Sequence, residues 1–160
     1  MAYIETTTDP RLPYFYNLSR AVGNGCHNWE EDTMVVQFFL QRMYGTGKLG
    51  PAPKGTMKVD GIFGPITRNW ILKFQLDAAN GPNVNIYADG IVNTAPDGRL
   101  DSTFSKTRYT IIYLNAGVRK NEPFLYNNLG THPEVPAKLR MGFAAMNASR
   151  PEIIRAGQLV

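Results

Sequence analysis

Residues 59–67 read Val59-Asp60-Gly61-Ile62-Phe63-Gly64-Pro65-Ile66-Thr67, and they predict a tight turn that leads directly into a helix. The side chain of Asp60 can accept a hydrogen bond from the backbone two residues on, and Gly61 can adopt the positive φ that such a turn often needs. Gly64 and Pro65 suit an N-cap and a first helical residue, because a proline lacks only an N–H that is unused there. A helix is therefore predicted to begin at about Pro65.

This helix is predicted to bury one face. Its apolar residues Ile66, Trp70 and Phe74 recur at i, i+4 and i+8, and Ile71 widens the apolar stripe. Asn80-Gly81-Pro82 should end the helix, since glycine and proline interrupt helical backbone.

Two more helices are predicted on either side. The first runs from Thr33 to about Tyr44, with an apolar stripe of Val36, Leu40, Met43 and Tyr44 and with Phe39 on its flank. The other runs from Thr103 to Gly117, with Asp101 or Ser102 as its cap. Its expected inward face consists of Phe104, Thr107, Ile111, Leu114 and Val118.

A second copy of the turn is visible in Ala88-Asp89-Gly90-Ile91-Val92, which repeats residues 59–63 with an offset of 29 residues. One interpretation is a pseudo-repeat of turn plus helix. The other is a small hairpin around Asp89-Gly90, following a short β-like piece at 84–87. Both interpretations stay open.

The two ends of the chain are predicted to be extensions of the helical domain at 21–120. Residues 1–20 form an arm rich in proline and aromatic residues, which either packs on its own domain or docks on a neighbouring subunit. Residues 121–160 contain a short amphipathic helix, about Val135 to Met146, with Leu139, Phe143 and Met146 on one face.

Bulk properties narrow the function. The net charge is +4, and the excess lies in residues 101–160, which hold eight Lys/Arg against four Asp/Glu. No dense basic run with interleaved aromatic residues occurs, so nucleic acid is not an expected partner. The single cysteine, Cys26, excludes an internal disulfide and multi-cysteine zinc sites. No signal-peptide pattern or membrane-length apolar run appears, so synthesis in the cytoplasm and no membrane contact are expected.

Residues 60–67 together with Phe74-Gln75 resemble the signature of the small three-helix peptidoglycan-binding domain. Residues 22–40 resemble the loop and first helix of versions carried by phage and injection-system proteins, so the resemblance covers about 21–118. It implies an all-α, three-helix domain with irregular or short β-like loops. The family usually continues its second turn with a Gly-Pro-x-Thr-like helix start, whereas this sequence has Asn93-Thr94, so the resemblance implies an insertion between the second turn and the third helix. The fold-specifying residues would be Gly61, Gly64, Pro65, Trp70, Phe74, Gln75, Asp89 and Gly90.

The same resemblance implies non-catalytic binding of peptidoglycan or a related wall polymer, with Asp60, Phe63 and Thr67 as contacts. A structural part of a phage tail or contractile injection machine, docking through residues 1–20 and 121–160, is the alternative. In that role the protein would act within a virion or an injection particle.

A cell-wall hydrolase is the third and least favoured hypothesis. It would need Cys26 paired with His132, because the adjacent His27 can rarely turn back onto the thiol. Glu30, Glu31 and Asp32 are interpreted as solvated acids at a helix N-terminus rather than as glycosidase carboxylates. No metal site and no cofactor are expected, since the chain lacks spaced histidines.

Overall fold

Helices account for most of the regular structure in the computed structural model, which describes residues 2–152. The helices are α1 Glu30–Gly45, α2 Pro65–Ala79, α3 Thr110–Asn121, α4 Pro123–Tyr126 and α5 Ala137–Ser149, with a 3₁₀ turn at Pro96–Gly98. Strands β1 (Tyr3–Thr6) and β2 (Tyr14–Asn17) pair antiparallel. The predicted helical character is confirmed, but the purely α-helical three-helix description is not, because α1–α3 are joined by two further helices and this sheet.

The first two helices follow from their sequences. Glu30, Glu31 and Asp32 fill the first turn of α1, where their charges favour the helix dipole. Helix α2 begins at Pro65 as predicted and buries Trp70 and Phe74.

The expectation that Ile66 faces the core is wrong, since its side chain is 43% exposed. The buried face of α2 instead includes Thr67, Trp70, Ile71, Phe74 and Gln75. The inward stripe therefore begins one residue later than an apolar pattern suggests, because a threonine occupies its first position.

The start of α3 corrects the prediction more strongly. Residues 103–109 lie outside the helix, and Phe104 is 98% exposed. Ser102 does not cap α3; its Oγ accepts hydrogen bonds from the backbone N–H groups of Phe104 and Ser105 and closes a local turn. Lys106 has φ of 60°, which no α-helix accommodates.

The N-terminal residues contribute to the core instead of extending away from it. All four residues of β2 are buried. Asn115 of α3 holds this strand with its side chain, accepting from Tyr16 N at 2.9 Å and donating to Tyr16 O at 3.1 Å. Tyr126 of α4 donates to the same Asn115 oxygen at 2.7 Å. Residues 1–20 therefore supply a strand that α3 and α4 fix in place.

The C-terminal part packs on the same core. Helix α5 buries Leu139, Phe143 and Met146, the three residues expected on its apolar face. The ring of Phe143 lies 4.8 Å from that of Tyr16, measured between centroids. The last part of the predicted C-terminal extension, residues 153–160, lies outside the described residues. Within the described part of the chain, no helix is both long and apolar enough to span a bilayer.

Candidate functional site

The turn at 60–67, called the first turn below, is organised by a glutamine from α1. Gln37 Nε2 donates to Asp60 Oδ1 at 3.1 Å, to Ile62 O at 3.1 Å and to Thr67 Oγ1 at 3.0 Å. Its Oε1 accepts from the backbone N–H groups of Asp60 at 3.1 Å and Gly61 at 2.9 Å. One buried amide therefore joins α1, the turn and the first residues of α2.

The turn at 89–91, called the second turn below, repeats this arrangement one helix later. Gln75 Nε2 of α2 donates to Asp89 Oδ1 at 3.4 Å, to Ile91 O at 3.0 Å and to Thr110 Oγ1 at 3.0 Å. Its Oε1 accepts from Gly90 N at 2.8 Å. The pseudo-repeat is thus a helix–glutamine–turn–helix unit, and the strand hairpin alternative at Asp89-Gly90 is wrong.

Sequence reasoning singled out Gln75 but missed Gln37. Each glutamine is flanked by apolar residues, as Val36-Gln37-Phe38 and Phe74-Gln75-Leu76, so a buried polar residue inside an apolar stripe was the available signal. Gln37 precedes its turn aspartate by 23 residues, whereas Gln75 precedes its own by 14. Because these spacings differ, the equivalence of the two glutamines is not visible in the sequence.

The local geometry of the two turns matches the prediction from Asp-Gly. Asp60 Oδ1 accepts from Ile62 N, and Asp89 Oδ1 accepts from Ile91 N, both at 2.9 Å. Gly61 and Gly90 have φ of 74° and 76°. The aspartates and glycines therefore act first as turn residues.

The expected insertion separates the second turn from α3 and occupies residues 93–109. Val92, just before it, exchanges two backbone hydrogen bonds with Val22. Asn17 then holds Ala95 through both backbone groups, donating to Ala95 O at 2.6 Å and accepting from its N–H at 3.1 Å. Further on, Asp101 and Arg108 form an antiparallel bridge. The insertion is therefore anchored at several points, and its tip presents Phe104 to solvent.

The three predicted ligand contacts lie in different environments. Asp60 is exposed, whereas Thr67 is 4% exposed and accepts from Gln37. Both line a pocket of about 220 Å³ beside the first turn. Phe63 is half-buried against the core and does not belong to that lining. The remaining surface of the pocket includes Lys58, Ile62 and Ile66.

A smaller pocket, of about 80 Å³, occupies the equivalent position beside the second turn. Asp89, Ile91 and Thr110 line it, as Asp60, Ile62 and Thr67 line the first pocket. Residues of the insertion, among them Ser102 and Arg108, form its opposite wall.

The candidate nucleophile is not activated by its surroundings. Burial, and then the negative charge of Asp89, raise the pKa of the Cys26 thiol, which disfavours the thiolate. Its Sγ lies 3.9 Å from Asn24 O, a hydrogen-bond contact. His132 Nδ1 accepts from the backbone N–H of Glu134, and its ring contacts Phe124. Neither contact of His132 involves Cys26.

The acids at the start of α1 have separate roles. Asp32 is buried and accepts from Ser19 N and Arg20 N, each at 3.0 Å, so the expectation that it is solvated is wrong. Glu30 pairs with Lys138. Burial raises the pKa of Glu31. Among residues 2–152, no group of three or more His, Cys, Asp or Glu side chains is arranged to hold a metal ion.

No protein-family model matches this chain, and the searches of curated proteins and of solved structures give no match either.

Proposed function

We propose that this protein binds peptidoglycan or a related cell-wall polymer, without cleaving it, in the pocket beside the first turn. The observation that carries the proposal is the combination of groups in that pocket. Asp60 places an exposed carboxylate next to the apolar side chains of Ile62 and Ile66, which are 70% and 43% exposed. Wall polymers present the matching groups: hydroxyls, amides, carboxylates and small apolar surfaces.

The carboxylate of Asp60 supports this role because only one of its two oxygens is hydrogen-bonded within the turn. Its Oδ1 accepts from Gln37 and from Ile62 N. Within residues 2–152, Oδ2 makes no hydrogen bond, so it can accept one from a sugar hydroxyl or a peptide amide. Lys58 supplies a nearby cation for a stem-peptide carboxylate.

Rigidity also supports binding at this turn. The backbone that carries Asp60 and Ile62 is fixed by the five hydrogen bonds of Gln37. A pre-organised surface loses little conformational entropy when a ligand binds, which favours affinity from a shallow pocket.

A sedimentation assay on purified sacculi tests the proposal. Asp60→Asn retains the oxygen that closes the turn but removes the negative charge, so we expect it to reduce the retained fraction several-fold at low salt. Asp89→Asn makes the same change at the second turn and should leave retention unchanged. If the unmodified protein is not retained at low salt, wall binding is excluded as its main role.

The alternative function is a structural part of a phage tail or contractile injection machine. The exposed aromatic rings of Phe104 and Phe124, 98% and 73% exposed, favour it, since apolar side chains at protruding sites commonly anchor protein contacts. The mass of the isolated chain in solution separates this alternative from simple wall binding. A stable closed oligomer would support assembly through the chain itself.

A wall hydrolase is the least supported function, because the pKa of Cys26 is shifted away from reactivity. If purified protein released soluble wall fragments, the double variant Cys26→Ala, His132→Ala would have to abolish that release. We expect no release from the unmodified protein.

A further inference from the structure

A groove on another part of the molecule is larger than either turn pocket and carries several positive charges. It lies where the loop between β1 and β2 meets the end of α3 and the start of α4, and its volume is about 580 Å³. Pro10, Ala116 and Pro123 supply apolar surface, and Arg11, Arg119 and Lys120 supply cations. This volume lies within the range of small-molecule sites, roughly 300–1,000 Å³.

The positive charges of the groove are only partly neutralised. Arg11 binds both carboxylate oxygens of Asp9, at 3.1 and 2.9 Å. Lys120 is exposed and makes no hydrogen bond or ion pair within the described range 2–152. Arg119 donates from Nη1 to the backbone oxygen of Arg11, which is not a charged partner. Within the part of the chain that the structure describes, Arg119 and Lys120 therefore have no carboxylate partner.

Arg119 is the more buried of these two cations. Its Nε is buried and, within residues 2–152, has no hydrogen-bond acceptor. A buried charged donor without an acceptor is costly. The dipole of α3 favours cations in its last turn but does not account for this unpaired donor.

We propose that this groove binds a small phosphate ester, with Arg119 and Lys120 as the residues that recognise the phosphate. A phosphate monoester carries a charge of about −1.5 to −2 near neutral pH, so it can balance both unpaired cations. A carboxylate carries one negative charge and would balance only one of them. Guanidinium and ammonium groups form strong charge-assisted hydrogen bonds with phosphate oxygens. The proline and alanine surface accommodates the organic part of the ester.

Amide chemical-shift titration with glycerol phosphate tests this proposal, and glycerol and acetate serve as neutral and carboxylate comparisons. We expect saturable shifts of the amide resonances of Arg11 and of residues 116–127 other than Pro123 with glycerol phosphate, weaker shifts with acetate and none with glycerol. Lys120→Gln should raise the dissociation constant by about tenfold. Lys54→Gln removes the same charge from an exposed residue outside the groove lining and should change the dissociation constant less than about twofold.

Several results would overturn the proposal. If Lys120→Gln and Lys54→Gln raised the dissociation constant equally, glycerol phosphate binding would depend only on the net charge of the protein. Equal affinity for acetate and glycerol phosphate would contradict phosphate recognition. Since Lys120 is exposed and makes no hydrogen bond or ion pair within residues 2–152, its replacement should lower the thermal midpoint by no more than its small helix-dipole contribution, which separates lost binding from lost folding. Binding in this groove is independent of wall binding at the first turn, so either result stands without the other.

Discussion

The first and second turns use the same hydrogen bonds but present different surfaces. In each, a buried glutamine joins an Asp-Gly turn to a threonine at the start of the next helix. The first turn continues directly into α2 and borders a pocket of about 220 Å³. The second is followed by seventeen inserted residues, 93–109, that narrow its pocket to about 80 Å³. The glutamine network therefore specifies the fold, and the connection after the turn determines the surface available to a ligand.

The largest effect is expected from replacing the glutamines. Gln37→Leu leaves two backbone N–H groups, those of Asp60 and Gly61, without their acceptor. We expect a loss of about 3 kcal/mol or more in the free energy of unfolding, measured by urea denaturation. Gln75→Leu should cost about 1 kcal/mol less, because among residues 2–152 its Oε1 accepts from Gly90 alone.

Gln41→Leu provides the control for this pair. Gln41 also belongs to α1 but is exposed, and its Nε2 makes a long hydrogen bond of 3.4 Å with Met57 O. Its replacement should change stability by less than about 0.5 kcal/mol. If Gln37→Leu were as mild, the glutamine network would not be what stabilises the first turn.

A smaller and asymmetric effect is expected at the turn glycines. Both have positive φ, so alanine costs about 1–2 kcal/mol at either site. At Gly61 the added methyl group would also lie 2.5 Å from Glu30 Cγ and 3.0 Å from Glu30 O, whereas at Gly90 it meets nothing within 4 Å. Gly61→Ala should therefore lower stability by about 3 kcal/mol and Gly90→Ala by about 1 kcal/mol. Equal losses would show that α1 does not pack as closely on the first turn as described.

The smallest effect is electrostatic and concerns the second turn only. Burial raises the pKa of Cys26, and the charge of Asp89 raises it further. Asp89→Asn should therefore lower this pKa and increase the rate of iodoacetamide alkylation at about pH 8, because more thiolate is present. Asp60→Asn should leave the rate unchanged. An equal response to both variants would contradict the proximity of Asp89 to the thiol.

Local chemistry made parts of this fold predictable. The start of α2 followed from Gly64-Pro65, and the turns followed from Asp-Gly, because these residues restrict the backbone by themselves. The start of α3 was misplaced because the insertion is held by distant groups such as Asn17, 78 residues from Ala95. The apolar periodicity of the residues in the insertion cannot predict a contact with a residue so far away in the sequence.

The candidate site was predictable only in part, for a similar reason. The resemblance implied Asp60, Phe63 and Thr67 as contacts, and of these Asp60 and Thr67 line one pocket whereas Phe63 does not. The burial of Thr67 depends on Gln37, which lies 30 residues earlier in the sequence and was not recognised. The cationic groove was missed as well, since Arg11 and Arg119 lie 108 residues apart and are joined only by the packed fold.

The contacts of β2 determine when during synthesis this chain can complete its core. Tyr16 packs on Phe143 and reaches Asn147 with its hydroxyl group, across 131 residues of sequence. During synthesis this aromatic strand leaves the ribosome well before the helix that covers it, because Tyr16 and Asn147 are 131 residues apart. The native core around Tyr16 can therefore close only after α5 has left the exit tunnel.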